Sequence, residues 1–152
     1  MLNIKDVSIA AIAATVPSNK IYNSNLADRF GELEVKKLIK SIGVQTRHIA
    51  NSSQTTSDLC YESGVRVLAE LNWQPESVGA LIFVSQTPDY QLPATACVLQ
   101  SRLGLSNNTI AYDINLGCSG YSYGLFLAST LINSGVDRVL LLVGDTISKI
   151  VK

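Results

Sequence analysis

Apolar positions along this chain change period several times, and each change predicts an element. Val7 to Val16 (VSIAAIAATV) is small and apolar and stops at Pro17-Ser18-Asn19, which predicts a first strand. Asn23 or Ser24 stands where it can cap a short helix over Leu26 to Phe30. Glu32 to Ile42 repeats Leu33, Leu38, Ile39 and Ile42 at helical spacing and ends at Gly43. Val44 to Asn51 reads as a short extended segment. Thr55-Thr56-Ser57-Asp58 opens a long helix to Leu71, with Leu59, Val65, Leu68 and Leu71 as its inward stripe and Ser57 and Glu62 near its first turn. Val78 to Ser85 is apolar without alternation, as in a strand covered on both faces. Pro93 is placed to open a helix over Ala94 to Leu103, ended by Gly104. Ile110 to Ile114 is a strand, Tyr121 to Ile132 a helix, and Arg138 to Val143 a final apolar strand closed by Gly144-Asp145.

Strands alternating with helices predict an α/β fold with a mostly parallel sheet, whose functional end lies at the strand C-termini. Three loops sit there: Thr87 to Pro93, Leu116 to Gly120, and Asp145 onward. The middle one holds Cys118. A thiol between a strand and a helix start meets backbone N–H groups and the positive end of the helix dipole. Both favour a thiolate and can hold an oxyanion growing on a substrate carbonyl. Gly120 and Gly124, four residues apart, let a neighbouring element approach this helix closely. Against this stands the ordinary fate of a free cysteine, which is an inert place in a core. Cys60 and Cys97 fall in helical apolar stripes and read as such core residues.

Composition narrows the classes. Of 152 residues, 47% are hydrophobic and 16% charged, which suits a buried sheet rather than a disordered chain. Net charge is zero and the longest basic run is Lys36-Lys37, so nucleic-acid binding gains no support. No apolar run reaches membrane-spanning length and the Met1 end does not read as a signal peptide. Three cysteines, an odd number without metal-type spacing, fit a reducing cytoplasm and suggest neither a metal nor a disulfide framework.

Several stretches carry a family resemblance together. Asp113-Ile114-Asn115-Leu116-Gly117-Cys118-Ser119-Gly120-Tyr121-Ser122-Tyr123-Gly124-Leu125 resembles the nucleophile motif of β-ketoacyl-acyl-carrier-protein synthase III, in the thiolase-like superfamily. Gly43-Val44 with Arg47-His48-Ile49, Thr87-Pro88-Asp89 with Pro93 to Gln100 and Leu103-Gly104, and Val143-Gly144-Asp145 resemble further segments in the same order. The likeness runs from Val7 to Lys149. It implies the N-terminal half of a duplicated, layered thiolase-like fold, as an excised piece, a proteolytic remnant or a truncated gene product. Residues 1–152 would then form one domain carrying the nucleophile.

The resemblance also implies a chemistry. Cys118 would take an acyl group from an acyl thioester, and the acyl-enzyme would condense with a malonyl thioester in fatty-acid or related biosynthesis. Partners would be acyl carrier protein, acyl-CoA or another acyl thioester, as substrates, with no cofactor. The full-length enzyme would be a homodimer in which Leu92 reaches the partner's acyl pocket; locally, Leu92 reads equally as a cap on core. Thr87 would lie on the substrate side, and Lys149 near the carrier phosphate. Where family members carry a tryptophan and an arginine that clasp coenzyme A, this chain has Lys36-Lys37-Leu38-Ile39-Lys40-Ser41, which weakens coenzyme A as the carrier. The family's condensing histidine and asparagine belong to the second half. His48, the sole histidine, does not match that position, although a Cys118–His48 dyad stays formally open. The alternatives are a 3-hydroxy-3-methylglutaryl-CoA synthase-like or acyl-transferring relative, and a non-catalytic half-fold. The runs Val78–Val84 and Arg138–Val143 are expected to need cover from outside the chain.

Overall fold

The computed structural model describes residues 4–150 and falls into two compact units. The larger comprises Thr55–Ile147 with the segment ending at Thr15; the smaller comprises Val16–Gln54 with the segment from Ser148.

In the larger unit, strands β3 (Ala80–Val84), β4 (Ile110–Ile114) and β5 (Val139–Val143) form a parallel sheet in the order β4-β3-β5. The central place of β3 explains its unbroken apolar run. All five of its residues are buried, because helices cover both faces. Register sorts the faces: Leu81 lies beside Leu140 and Ala111, and Phe83 beside Leu142. These residues pack with Cys60 and Leu68 of α3 (Thr56–Glu70) and with Ala96 and Leu99 of α4 (Thr95–Arg102). On the other face, α5 (Gly120–Asn133) lies on Val84 and Leu141.

That approach needs glycine. A Cβ on Gly120 would stand 2.7 Å from Val84 Cγ1, and one on Gly124 would stand 2.8 Å from Leu141 Cδ1 and 3.1 Å from Val84 Cγ2. The small-residue pair expected to admit a close neighbour therefore seats α5 on the sheet. Val78 to Val84 is covered within the chain, contrary to the expectation that it needs outside cover. Arg138–Val143 stays partly open, with Val143 exposed at the end of β5, and further apolar exposure lies on α5, where Tyr121, Tyr123 and Phe126 face solvent, and on Ile9 and Ile12.

Several local expectations are corrected. Val7 to Val16 forms no strand. Its side chains alternate in burial from Ala11 to Val16, yet its backbone enters no ladder among the described residues. Asn133 pairs with the backbone of Lys5, and Thr15 accepts a hydrogen bond from Ser63 on α3, so the segment is held by side chains instead. Helix α3 opens at Thr55–Asp58, where the sequence places its start, but its cap is not Ser57 with Glu62. Thr55 is its N-cap in a reciprocal capping box, with Asp58 accepting from the Thr55 N–H at 2.9 Å. Pro93 lies ahead of α4, whose N-cap is Ala94. Cys97 is exposed rather than buried, because α4 turns Ala96 and Leu99 inward and leaves Cys97 on its outer side.

In the smaller unit, β1 (Lys20–Tyr22) pairs antiparallel with β2 (Thr46–His48) around α1 (Ala27–Phe30) and α2 (Glu32–Ile42). Gly43 ends α2 in the left-handed conformation, φ 72°, as its position suggested. Asn23 caps nothing. It is buried, donates to the Val44 carbonyl at 2.8 Å and accepts from Arg47 Nε at 2.6 Å, joining the strand pair to the loop after α2.

Candidate active site

Parallel register brings the C-terminal ends of β3, β4 and β5 side by side, and three loops meet there. The loop after β4 is the corner of Cys118. Leu116 N–H donates back to Ile114 O at 3.1 Å, Gly120 N–H donates to Gly117 O at 2.7 Å, and α5 begins at Gly120. Cys118 is exposed, a free thiol two residues before the first helical residue. Among the described residues, the backbone N–H groups of Cys118, Ser119, Tyr121 and Ser122 have no acceptor. Donors of that kind at a helix start are suited to an anionic oxygen.

The loops after β3 and β5 are joined by one carboxylate. Asp145 accepts from Gln86 N–H at 2.7 Å, Ser85 Oγ at 3.0 Å and Thr87 N–H at 3.2 Å on one oxygen, and from Gln86 Nε2 at 3.0 Å on the other. Thr87 Oγ1 bonds Thr56 Oγ1 at 2.8 Å and accepts from Thr146 N–H at 2.9 Å. Thr87, expected on the substrate side, thus has its hydroxyl engaged within this network. Cys60 lies close beneath it, with Sγ 3.0 Å from where a Cβ on Gly144 would be. Burial pushes the Cys60 thiol up to about 12, and the carboxylates of Asp89 and Asp145 add to the shift. It is a core thiol, as its helical stripe indicated.

Two aspartates of the motif segments anchor structure. Asp113, on β4, accepts the N–H groups of Thr95 and Ala96 at 2.7 Å each and so caps α4, which has no cap of its own. Asp89 accepts from Ser57 N–H at 3.1 Å. Leu92 is 90% exposed, so it caps no local core. In the smaller unit, Lys149 Nζ donates to the carbonyls of Ser52 at 3.1 Å and Gln54 at 2.8 Å. His48 Nδ1 lies 2.6 Å from the Pro17 carbonyl. Lys36 and Lys37 pair along α2 with Glu32 and Glu34, exposed ion pairs of small energetic weight.

The sequence did not single out Gln86, Ser85 or Thr56. The readable signal was position: polar residues directly after an all-apolar central strand, and an aspartate directly after β5.

Comparison with known proteins places this arrangement. Residues 112–152 match the family model of 3-oxoacyl-[acyl-carrier-protein] synthase III. A putative 3-oxoacyl-[acyl-carrier-protein] synthase 3 of Campylobacter jejuni is 40% identical over 146 residues, which are 94% of this chain and 41% of that protein. A β-ketoacyl-[acyl-carrier-protein] synthase III of Caldanaerobacter subterraneus is 43% identical over 110 residues, 72% of this chain and 33% of that protein. Among solved structures, a 3-oxoacyl-(acyl-carrier-protein) synthase of Burkholderia xenovorans superposes with a TM-score of 0.85 at 48% identity, covering 93% of this chain and 42% of that one. The chain thus spans between about a third and two fifths of the length of these relatives.

Proposed function

From a chain that carries the sequence and thiolase-like fold of about two fifths of a 3-oxoacyl-[acyl-carrier-protein] synthase III, we infer that Cys118 is an acyl-accepting nucleophile. The observation that supports this best is its placement. The thiol is exposed, lies past the end of a parallel strand, and is flanked by N–H donors without acceptors. The Cys118 thiolate attacks the carbonyl carbon of an acyl thioester. The carbonyl oxygen becomes an oxyanion, and the corner N–H groups receive it. Collapse breaks the bond to the carrier sulfur, leaves an S-acyl cysteine, and the carrier leaves as a thiol carrying the proton Cys118 gave up.

In a synthase III the acyl group then condenses with a malonyl thioester, carbon dioxide being lost. By the resemblance, that step draws on a histidine and an asparagine outside the segments matched here. Residues 1–152 alone are therefore expected to take the acyl group and not to condense it. Acyl-CoA and acyl carrier protein are the carriers this reading names, Lys149 the carrier-phosphate contact, and Leu92 the side chain offered to a second subunit in a homodimer. Leu92→Ala in the full-length enzyme should then shift the preferred primer length, measured with a series of acyl-CoA primers; an unchanged preference removes Leu92 from the acyl pocket.

The direct test is intact-mass spectrometry after incubation with acetyl-CoA. One acetyl group is expected per chain, on Cys118, and none on Cys118→Ala. Addition of malonyl-acyl carrier protein should release no β-ketoacyl product. Product formed by 1–152 contradicts the division of labour. Absence of any Cys118 acylation favours a non-catalytic half-fold.

A further inference from the structure

The side chain that touches the Cys118 corner from outside is Gln86, and its mode of attachment gives it a role. A Cβ on Gly117 would stand 2.8 Å from Gln86 Oε1 and 2.9 Å from Gln86 Cδ, so the Gln86 amide is packed directly against the residue before Cys118. The amide is not free to move away. Its Nε2 donates to Asp145 at 3.0 Å, and the Gln86 backbone N–H donates to the same carboxylate at 2.7 Å. Asp145 is itself fixed by Ser85 Oγ at 3.0 Å. Besides the seating of Gly120 on Val84, the corner is held by two short-range backbone hydrogen bonds, Leu116 to Ile114 and Gly120 to Gly117. It lies between a sheet and a helix that are both rigid, so small motions at Gly117 translate directly into where the thiol and the neighbouring N–H groups point.

We propose that Gln86 is a positioning residue, a strut clamped by Asp145 that sets the Cys118 corner against the ends of β3 and β5. The inference rests on the reading of Cys118 as the nucleophile. The strut explains why residue 117 is glycine, since any side chain there meets the Gln86 amide. It also gives the Asp145 carboxylate a use beyond joining two loops. Gln86 touches no substrate in this account and acts through the corner alone. An exposed glutamine contributes little to folding, so its truncation separates positioning from stability.

The test compares the wild-type chain with Gln86→Ala in two readouts. In amide hydrogen exchange, the Gly120 N–H, which donates to Gly117 O across the corner, should exchange about tenfold faster in the variant while β5 and α3 keep their protection. In acetylation by acetyl-CoA, the saturating rate at Cys118 should fall about tenfold with the half-saturating concentration unchanged, as misplacement of a nucleophile predicts. Corner exchange that does not change overturns the strut, whatever the chemistry does. A rate loss that appears only as a raised half-saturating concentration also overturns it, because Gln86 would then be a substrate contact. Wild-type chain that is not acetylated at Cys118 overturns the nucleophile reading instead, and the exchange arm still decides on the strut.

Discussion

At the scale of single residues, glycine and cysteine are the informative types, each by its surroundings. Gly120 is the clearest case. A methyl there would meet Val84 Cγ1 at 2.7 Å, and Val84 is buried in the central strand with nowhere to shift. Gly120→Ala should therefore destabilise the chain by about 1–3 kcal/mol in urea unfolding, since overpacking at a closed contact costs that much. The helix-propensity gain of alanine, at most about 1 kcal/mol in a helix interior, is smaller at the first helical residue. An unchanged or raised urea midpoint contradicts the close seating of α5. The cysteines divide in the same way. Cys60 is buried, with its thiol pushed up to about 12, and should stay unlabelled by iodoacetamide at pH 8 in the folded chain. Labelling of Cys60 on the timescale of the exposed Cys97 contradicts this packing.

At the scale of elements, the caps of two helices differ in origin: α4 is capped from another strand, α3 from the stretch that opens it. Thr55 and Asp58 close the start of α3 in a reciprocal box. Thr55→Ala should cost about 1 kcal/mol of stability by chemical denaturation. Asp58 gives this cap a pH dependence. The Thr55 N–H holds the Asp58 carboxyl below its ordinary value, with Arg102 adding to the effect and burial opposing it. A depressed carboxylate contributes stability above its unfolded value of about 3.9, and that contribution is lost as pH falls through the folded value. Urea midpoints measured between about pH 5 and pH 3 should fall more steeply for wild type than for Asp58→Asn. Parallel slopes contradict the role of Asp58.

The same scale shows what was legible. Apolar periodicity located α3, β3, β4, α5 and β5 closely, because packing about the sheet dictates those patterns, and it located α2 too, although Leu33, Leu38 and Ile42 there are exposed. It misplaced Val7–Val16, because a small apolar run describes an extended backbone and does not say whether a neighbouring strand edge is there to pair with. It missed β1, whose three residues carry no pattern long enough to read. The cap of α4 was beyond it too, since the capping Asp113 comes from another strand. At the site, the corner of Cys118 was legible from its small residues, and the Gln86–Asp145 clamp was not, because only parallel register brings those loops together.

At the scale of the molecule, the central strand β3 is covered on both faces, the edge strands stay partly exposed, and α5 remains apolar on its outward side. Tyr121, Tyr123 and Phe126 are exposed on one helix, and Ile9 and Ile12 are exposed along the N-terminal segment. Contiguous exposed apolar surface of this kind marks a contact face. The chain 1–152 should bind a hydrophobic dye or self-associate at micromolar concentration. A monodisperse monomer in analytical ultracentrifugation that leaves dye fluorescence unchanged contradicts this. No helix among the described residues is long and apolar enough to cross a membrane.

The central claim is that the corner after β4 activates Cys118 as an acyl acceptor. Cys97 is the internal reference, since it is also exposed and lies in the first turn of α4, where the N–H groups of Thr95 and Ala96 are taken by Asp113 and that of Cys97 by the Ala94 carbonyl. The measurement is the rate of acetyl transfer from acetyl-CoA to each cysteine, resolved by peptide mass spectrometry in one sample. The account predicts saturable acetylation of Cys118, faster than Cys97 by at least about a hundredfold, the worth of one well-placed oxyanion donor. Slow, unsaturable acetylation of Cys118 and Cys97 at the same rate would contradict it.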